Sequence, residues 1–470
     1  MRHFLGISNL RLSVWHMQRT NANCKKKDPK RLKNRTKEGI ADPGQREAGT
    51  INISLKTANL CHRDVMKNGS RHVAIVWTKF LPYHIARINH VRTQLHAEGH
   101  RLTAIEVASK DALYPFPETN LSATDYVCIF SGKSYRALHP LAIHHRIYST
   151  IEQISPDVII SPSTPFPSGM ASIKYCLKKK KFSAIMDDAW QLSDTRGPMI
   201  TAVKKIIHNN VDAVFIPSRF HAPYYERMGF PSERIVYGVD VVDNDYYSRY
   251  SQSAAERSDE LRKELKLPKK YFIFVGRFIK RKGIETLLEA FQLYRKDPGP
   301  AAWDLVLVGD DVEITEYTMK AKKVEGVHFA GIQVGERLCA YYGLASALIL
   351  PSEIETWGLV INEAMACRLP IIASSGCGAA RALIDEGKNG WMFQPRDHHR
   401  LLDLMKEVSG LPEGVLKSTG EQAFRTIQSY SLDTFSAGVR SMLTMTQRNK
   451  KMVLPNIITR LWPGRISFYP

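Results

Sequence analysis

What narrows the choice of fold furthest is an alternation that occurs twice along the chain. Short apolar runs, too brief for helices, are separated by longer segments with helical spacing. His72-Val-Ala-Ile-Val-Trp77 opens the first series as a buried strand. A helical stretch from Ile85 to Glu98 follows, ended by Gly99-His100, and Leu102 to Val107 is the next strand. Tyr126 to Phe130, Asp157 to Ile160, Phe182 to Met186 and Ala213 to Ile216 continue the pattern. A polar, partly helical segment closed by Leu267-Pro268 interrupts it. The second series starts at Tyr271-Phe-Ile-Phe-Val275 and runs through Leu305 to Val308, Val327 to Phe329, Ala347 to Leu350 and Ile371 to Ala373, with helices over Gly283 to Lys296 and Val334 to Ala345. Strands alternating with helices predict parallel sheets covered on both faces, so the expectation is α/β with two doubly wound, Rossmann-like domains.

The chain has 470 residues, more than one ordinary core holds, which fits two domains. The expected division is a basic tail over 1–70, a first domain over 71–240, an interdomain segment over 241–269, a second domain over 270–431, and a helix from Leu432 to Gln447 that crosses back to the first domain within 432–470. The prolines at 455, 463 and 470 break any longer element there.

Composition excludes several classes. No stretch approaches the roughly 20 apolar residues of a membrane span. His3, Asn9, Arg11 and His16 interrupt any secretory apolar core, whereas the lack of an acid before Asp28 leaves an organelle-targeting peptide open. Seven scattered cysteines form no C-x-x-C pair, which speaks against a disulfide framework or structural zinc and suits a reducing, cytoplasmic setting. The formal net charge is +20; residues 1–70 carry fifteen Lys and Arg against five Asp and Glu, half of that excess. A solvated, disordered tail is the first reading of such a run. The sharper one is peripheral contact with an anionic membrane, such as the inner membrane. No aromatic residues interleave with the basic run, so base stacking has no platform and nucleic acid is not expected as a partner.

Two segments carry chemistry. In Val275-Gly-Arg-Phe-Ile-Lys-Arg-Lys-Gly283 a strand ends in a turn with Arg277 and Lys282 before a helix. The carboxyl end of a parallel strand opens onto the binding crevice of such sheets, and cations there suit a diphosphate. An ordinary basic surface loop explains this segment equally well. In Pro351-Ser-Glu-Ile-Glu-Thr-Trp-Gly-Leu-Val-Ile-Asn-Glu-Ala-Met-Ala366 a strand ends, Glu355 sits in the loop, and a helix starting near Gly358 carries Glu363. Were both acids helical they would lie about 80° apart; with Glu355 in the loop they meet different parts of one extended ligand. Gly358, Leu359 and Val360 offer free helix-start N–H groups to an anion. A solvated Glu beside a dipole-favoured one is the plainer alternative, against which Glu363 stands among apolar neighbours.

Glu355 and Glu363 with seven residues between them, set in P-S-x-x-E-x-W-G-L-V-x-x-E-A-M-A-C, resemble the signature of family 4 glycosyltransferases with the GT-B fold. G-R-x-x-x-x-K-G at 276–283, Tyr341-Tyr342 and Gly387-Lys-Asn-Gly390 fit the same family, over about Tyr271 to Pro395. Gly238-Val-Asp240 is a matching phrase at the linker. The resemblance implies two domains facing a cleft and transfer of a hexosyl unit, with retention, from a UDP- or GDP-sugar to a glycan, lipid-linked or small-molecule acceptor, as in polysaccharide biosynthesis. It implies no cofactor and no metal, and the residues show no metal-ligand cluster. Arg277 and Lys282 would bind the donor diphosphate, Glu363 the ribose, and Glu355 the transferred sugar near its anomeric centre. Three departures withhold the sugar's identity. Thr78-Lys-Phe-Leu-Pro-Tyr-His84 replaces a Gly-rich loop, Arg368 stands where Gly is common, and Ala382 where Glu is usual.

On the acceptor side the candidates are His84, just past the first strand, and Asp187 and Asp188, after Phe182 to Met186. A helix-start His and a helix-capping acid are the structural alternatives. The competing functions are a nucleotide-sugar epimerase or phosphorylase on the same fold, the latter needing a lysine-linked cofactor site the sequence does not display, and a non-catalytic basic module binding nucleic acid or membrane. Intact Arg277, Lys282, Glu355 and Glu363 argue against the last.

Overall fold

Among the described residues, thirteen strands form two parallel sheets. The structure, a computed structural model, describes residues 69–111, 125–194, 197–297, 302–310, 314–322 and 324–448, with 457, 459 and 462. The expectations placed on residues 1–68, including membrane contact through the basic tail, and on the prolines at 455, 463 and 470 lie outside the described residues. The first sheet comprises β1 (His72–Trp77), β2 (Arg101–Lys110), β3 (Tyr126–Ser134), β4 (Val158–Pro162), β5 (Phe182–Met186), β6 (Ala213–Ile216) and β7 (Ile235–Tyr237), in the order β3-β2-β1-β4-β5-β6-β7. The second comprises β8 (Tyr271–Val275), β9 (Asp304–Val308), β10 (Val327–Gly331), β11 (Ala347–Leu350), β12 (Ile371–Ser374) and β13 (Gly390–Phe393), in the order β10-β9-β8-β11-β12-β13. Every pairing is parallel, with registers such as Val73↔Val158 and Leu348↔Ile371.

Strand order reverses between β1 and β4 and again between β8 and β11. At such switch points the connecting helices depart to opposite faces and leave a crevice at the carboxyl ends of the strands. The core residues show this directly: Ile88, Val91 and Leu95 of helix Pro82–Ala97 pack on one face of the first sheet, Ala171, Tyr175 and Cys176 of helix Pro167–Lys179 on the other. Burial on both faces is why β1, β4, β5 and β8 are mainly apolar rather than alternating, with Ser161 and Ser183 as small buried exceptions.

Prolines punctuate the first half. Pro82, Pro140, Pro167 and Pro198 open four successive helices, where a missing N–H costs nothing and the fixed φ is already helical. The segment at 241–269 forms two helices, Asn244–Glu256 and Ser258–Leu265, whose Tyr247, Leu261 and Leu265 pack against the core of the second sheet. Helix Leu432–Thr444 joins the first sheet instead: Phe435, Val439, Met442 and Leu443 share a core with β1, β4 and β5. Arg368, at the end of helix Leu359–Ala366, has φ 60°, which explains why glycine suits that position. Its guanidinium pairs with Glu421 at 2.9 Å and lies 3.7 Å from the Phe424 ring centroid, so this departure is a packing feature away from the two Glu side chains.

Candidate active site

The loops after β8 and β11 meet at the second switch point. The loop after β8 carries Arg277, partly exposed, and is tied to β9 through Gly276 N to Val308 O (3.0 Å) and Phe278 N to Asp310 O (3.2 Å). It closes in a single turn, Lys280–Lys282, capped by Gly283 with φ 69°. A Cβ at Gly283 would fall 2.1 Å from Pro351 O, so the two loops approach closely only because that residue is glycine. Glu353 N donates to Arg281 O at 2.8 Å and completes the join.

This junction delivers Lys282 to Glu355. Lys282 Nζ lies 2.7 Å from Glu355 Oε2, with the side chains 11% and 14% exposed. Burial by itself would raise the Glu355 carboxyl; the Lys282 ammonium and Arg281 guanidinium outweigh it and hold the group below its ordinary range. Glu355 is therefore an ionised carboxylate in a place that excludes most water. Its backbone bridges Cys377, with Glu355 N donating to Gly376 O at 3.0 Å.

Helix Leu359–Ala366 starts behind this pair at Gly358, in the left-handed region (φ 109°), with no side-chain cap. Leu359 and Val360 are partly exposed, so the first turn keeps donors for an anion. Glu363, four residues into the helix, is 9% exposed and accepts Tyr342 Oη at 2.8 Å. Burial raises its carboxyl to about 7, against the hydrogen bonds from Tyr342 and Tyr247. Asn362 turns the other way: its Nδ2 donates to Asp240 O at 3.2 Å, and Trp357 Nε1 donates to its Oδ1 at 2.9 Å, linking this helix to the segment between the sheets.

The acceptor-side candidates fare differently. His84 is buried and its Nδ1 accepts the Leu81 amide at 3.0 Å, which starts the helix; burial and Arg87 push the imidazole well down, so it is neutral with Nε2 as the remaining polar group. Asp187 pairs with Lys204 at 3.2 Å and accepts Ser163 Oγ at 3.0 Å, an arrangement that holds β5 to helix Pro198–His208. Asp188 instead crosses to the second sheet, accepting Thr356 Oγ1 at 2.6 Å. Burial and then nearby Asp240 raise its carboxyl to about 7. Sequence reasoning missed Trp190 and His221, which also reach residues 355 and 356; contacts 135 and 165 residues apart leave no local signal. Among the described residues no group of His, Cys, Asp or Glu is placed to hold a metal ion, and no helix is long and apolar enough to cross a membrane.

Known proteins share this architecture. A sucrose-phosphate synthase from Thermosynechococcus elongatus superposes with a TM-score of 0.62 at 20% identity, covering 79% of this chain and 98% of that one. The Anabaena protein HepE, solved in complex with UDP and glucose, gives 0.62 at 15% identity, covering 80% of this chain and 100% of that one. The fold is GT-B. Residues 257–423 match the family described as glycosyl transferases group 1, a span that contains Arg277, Lys282, Glu355 and Glu363. The O-antigen chain mannosyltransferase B of Escherichia coli is 27% identical over 234 residues, 48% of this chain and 57% of that protein. A GDP-mannose-dependent alpha-(1-6)-phosphatidylinositol monomannoside mannosyltransferase of Mycobacterium tuberculosis is 27% identical over 222 residues, 45% of this chain and 56% of that protein. The chain thus spans about half the length of the curated relatives it matches.

Proposed function

We propose that this GT-B chain is a glycosyltransferase that moves a hexosyl unit from a UDP- or GDP-sugar, with retention of anomeric configuration as in family 4, onto a glycan or lipid-linked acceptor. The observation that carries the reading is the buried Lys282–Glu355 pair set between two strand ends and an uncapped helix start. Breaking the sugar–phosphate bond places negative charge on the leaving diphosphate and positive charge on the ring. Arg277, Lys282 and the N–H groups of Gly358, Leu359 and Val360 neutralise the first; Glu355, already ionised, faces the second. Glu363 accepts the ribose hydroxyls, and the departing phosphate takes the acceptor's proton. In this scheme the cations of the chain do what a metal ion does elsewhere.

Two similar proteins support the donor class: the structural neighbour HepE is solved with UDP and glucose, and the Mycobacterium tuberculosis mannosyltransferase is GDP-mannose-dependent. The test is turnover of a panel of UDP-, GDP- and ADP-sugars, with the product's anomeric configuration read by NMR. The expected result is turnover of a UDP- or GDP-sugar with retention, lost on Glu355→Gln. Interconversion of the free nucleotide sugar without transfer would instead favour the epimerase, and inversion would remove the family 4 mechanism.

A further inference from the structure

We infer that Trp190, His221 and Asp188, all on loops of the first sheet, are positioning residues for Glu355 on the second, holding the peptide unit Glu355–Thr356 so that the carboxylate is in place only when the two sheets are apposed. The inference rests on the reading of Glu355 as the residue facing the transferred sugar.

The loop after β5 supplies two of the three contacts. Trp190 Nε1 donates to Glu355 O at 3.0 Å, and Asp188 Oδ2 accepts Thr356 Oγ1 at 2.6 Å. The single turn Arg219–His221, beyond β6, supplies the third: His221 Nε2 lies 3.2 Å from Thr356 O. A carbonyl only accepts, so Nε2 carries the hydrogen and Nδ1 accepts from Ser218 Oγ at 3.1 Å, which fixes the tautomer. His221 is fully buried, and that burial lowers its imidazole to about 4, keeping the ring neutral across the physiological range. Trp190 is held against Phe220, with ring centroids 5.2 Å apart.

The second sheet holds the same peptide unit from its own side. Gly378 N donates to Glu355 O at 3.2 Å, so that oxygen receives one donor from each sheet and both its lone pairs are used. A Cβ at Gly378 would stand 2.1 Å from Thr356 O and 3.1 Å from His221 Nε2; glycine there is what lets the imidazole reach the carbonyl. Separation of the sheets removes all three first-sheet contacts and leaves Glu355 with Lys282 and its own backbone partners. Bond cleavage in the donor is thereby tied to apposition, which limits transfer to water.

The experiment compares Trp190→Phe, Thr356→Val and Thr356→Ser with wild type and Glu355→Gln, using UDP-glucose and GDP-mannose. Phenylalanine keeps the ring against Phe220 and removes the N–H; valine keeps the shape of threonine and removes the hydroxyl; serine keeps the hydroxyl. The expected result is a kcat about 10- to 100-fold lower for Trp190→Phe and Thr356→Val, since misplacement near 1 Å costs about that much. Donor KM and Tm stay near wild type, and Thr356→Ser stays near wild-type kcat. Amide exchange over 355–358 gives a readout independent of turnover. It should quicken by about fivefold in the first two variants, the loss of roughly one hydrogen bond, and not in Thr356→Ser. Unchanged exchange, or a parallel fall of Tm and donor affinity with serine no better than valine, overturns the inference. If Glu355→Gln abolishes turnover while Trp190→Phe and Thr356→Val keep it, the positioning role fails and the transferase reading stands. If Glu355→Gln turns over normally, the transferase reading itself fails.

Discussion

Lys282 and Glu355 each make the other tolerable in a place with little water. Replacing Lys282 with Met strands a carboxylate at 14% exposure, and the expected cost is about 3 kcal/mol by urea denaturation, with turnover down about 100-fold or more. Glu355's folded value lies below its unfolded one, so its contribution is present above the ordinary carboxylate range and is lost as pH falls through the depressed value. Glu363 has the opposite sign. Its carboxyl is raised to about 7, so the folded state holds an extra proton between the ordinary range and 7, and stability declines as pH rises through that window. Glu363→Gln should therefore raise Tm at pH 8 and leave it nearly unchanged at pH 5, measured by calorimetry. Equal shifts at both pH values would remove burial as the cause. The spacing of Glu355 and Glu363 was legible in the sequence because both belong to one strand–loop–helix unit. The different fates of Asp187 and Asp188 were not, because adjacent residues are told apart only by Lys204 and Thr356, brought in from distant elements.

At the scale of elements, most strands show in the sequence as short apolar runs, the partly exposed edge strands β3 and β10 among them. β7 (three residues) and β13 (four residues), at the sheet edges, carry too little pattern to be found alone. The two helices at 244–265 show in the sequence only as a polar, partly helical segment, because just one stripe, with Tyr247, Leu261 and Leu265, is apolar. The junction of the loops after β8 and β11 depends on Gly283. Gly283→Ala places a side chain at φ 69° and 2.1 Å from Pro351 O. The left-handed conformation alone costs roughly 1–3 kcal/mol, and the clash adds to it. The expectation is a lower urea midpoint together with weakened nucleotide binding, because Lys282 is the neighbouring residue. A fall in stability with nucleotide affinity intact would separate the junction from the site.

Across the whole molecule, one topology is used twice, and each switch point opens at the carboxyl ends of its strands. The chain returns to the first sheet at its far end: Phe435, Val439 and Met442 lie in the core with β1 and β5, so removing residues 432–470 should expose that core and lower solubility and Tm, whereas loss of nucleotide binding alone would show the helix to be dispensable for folding. The two-domain plan was plain in the sequence; the contacts across the cleft were not, because they need both sheets in place before Trp190 or His221 has a partner. The loops at 276–283 and 351–363 are proposed to bind a nucleoside diphosphate, and everything proposed for the site depends on this. Calorimetric titration of UDP and GDP into wild type and Arg277→Ala tests it most directly. The prediction is saturable binding of one nucleotide, about 10-fold or more weaker in Arg277→Ala, the loss of a charge-assisted contact to phosphate. Binding of neither nucleotide, or equal affinity in the two proteins, would contradict it.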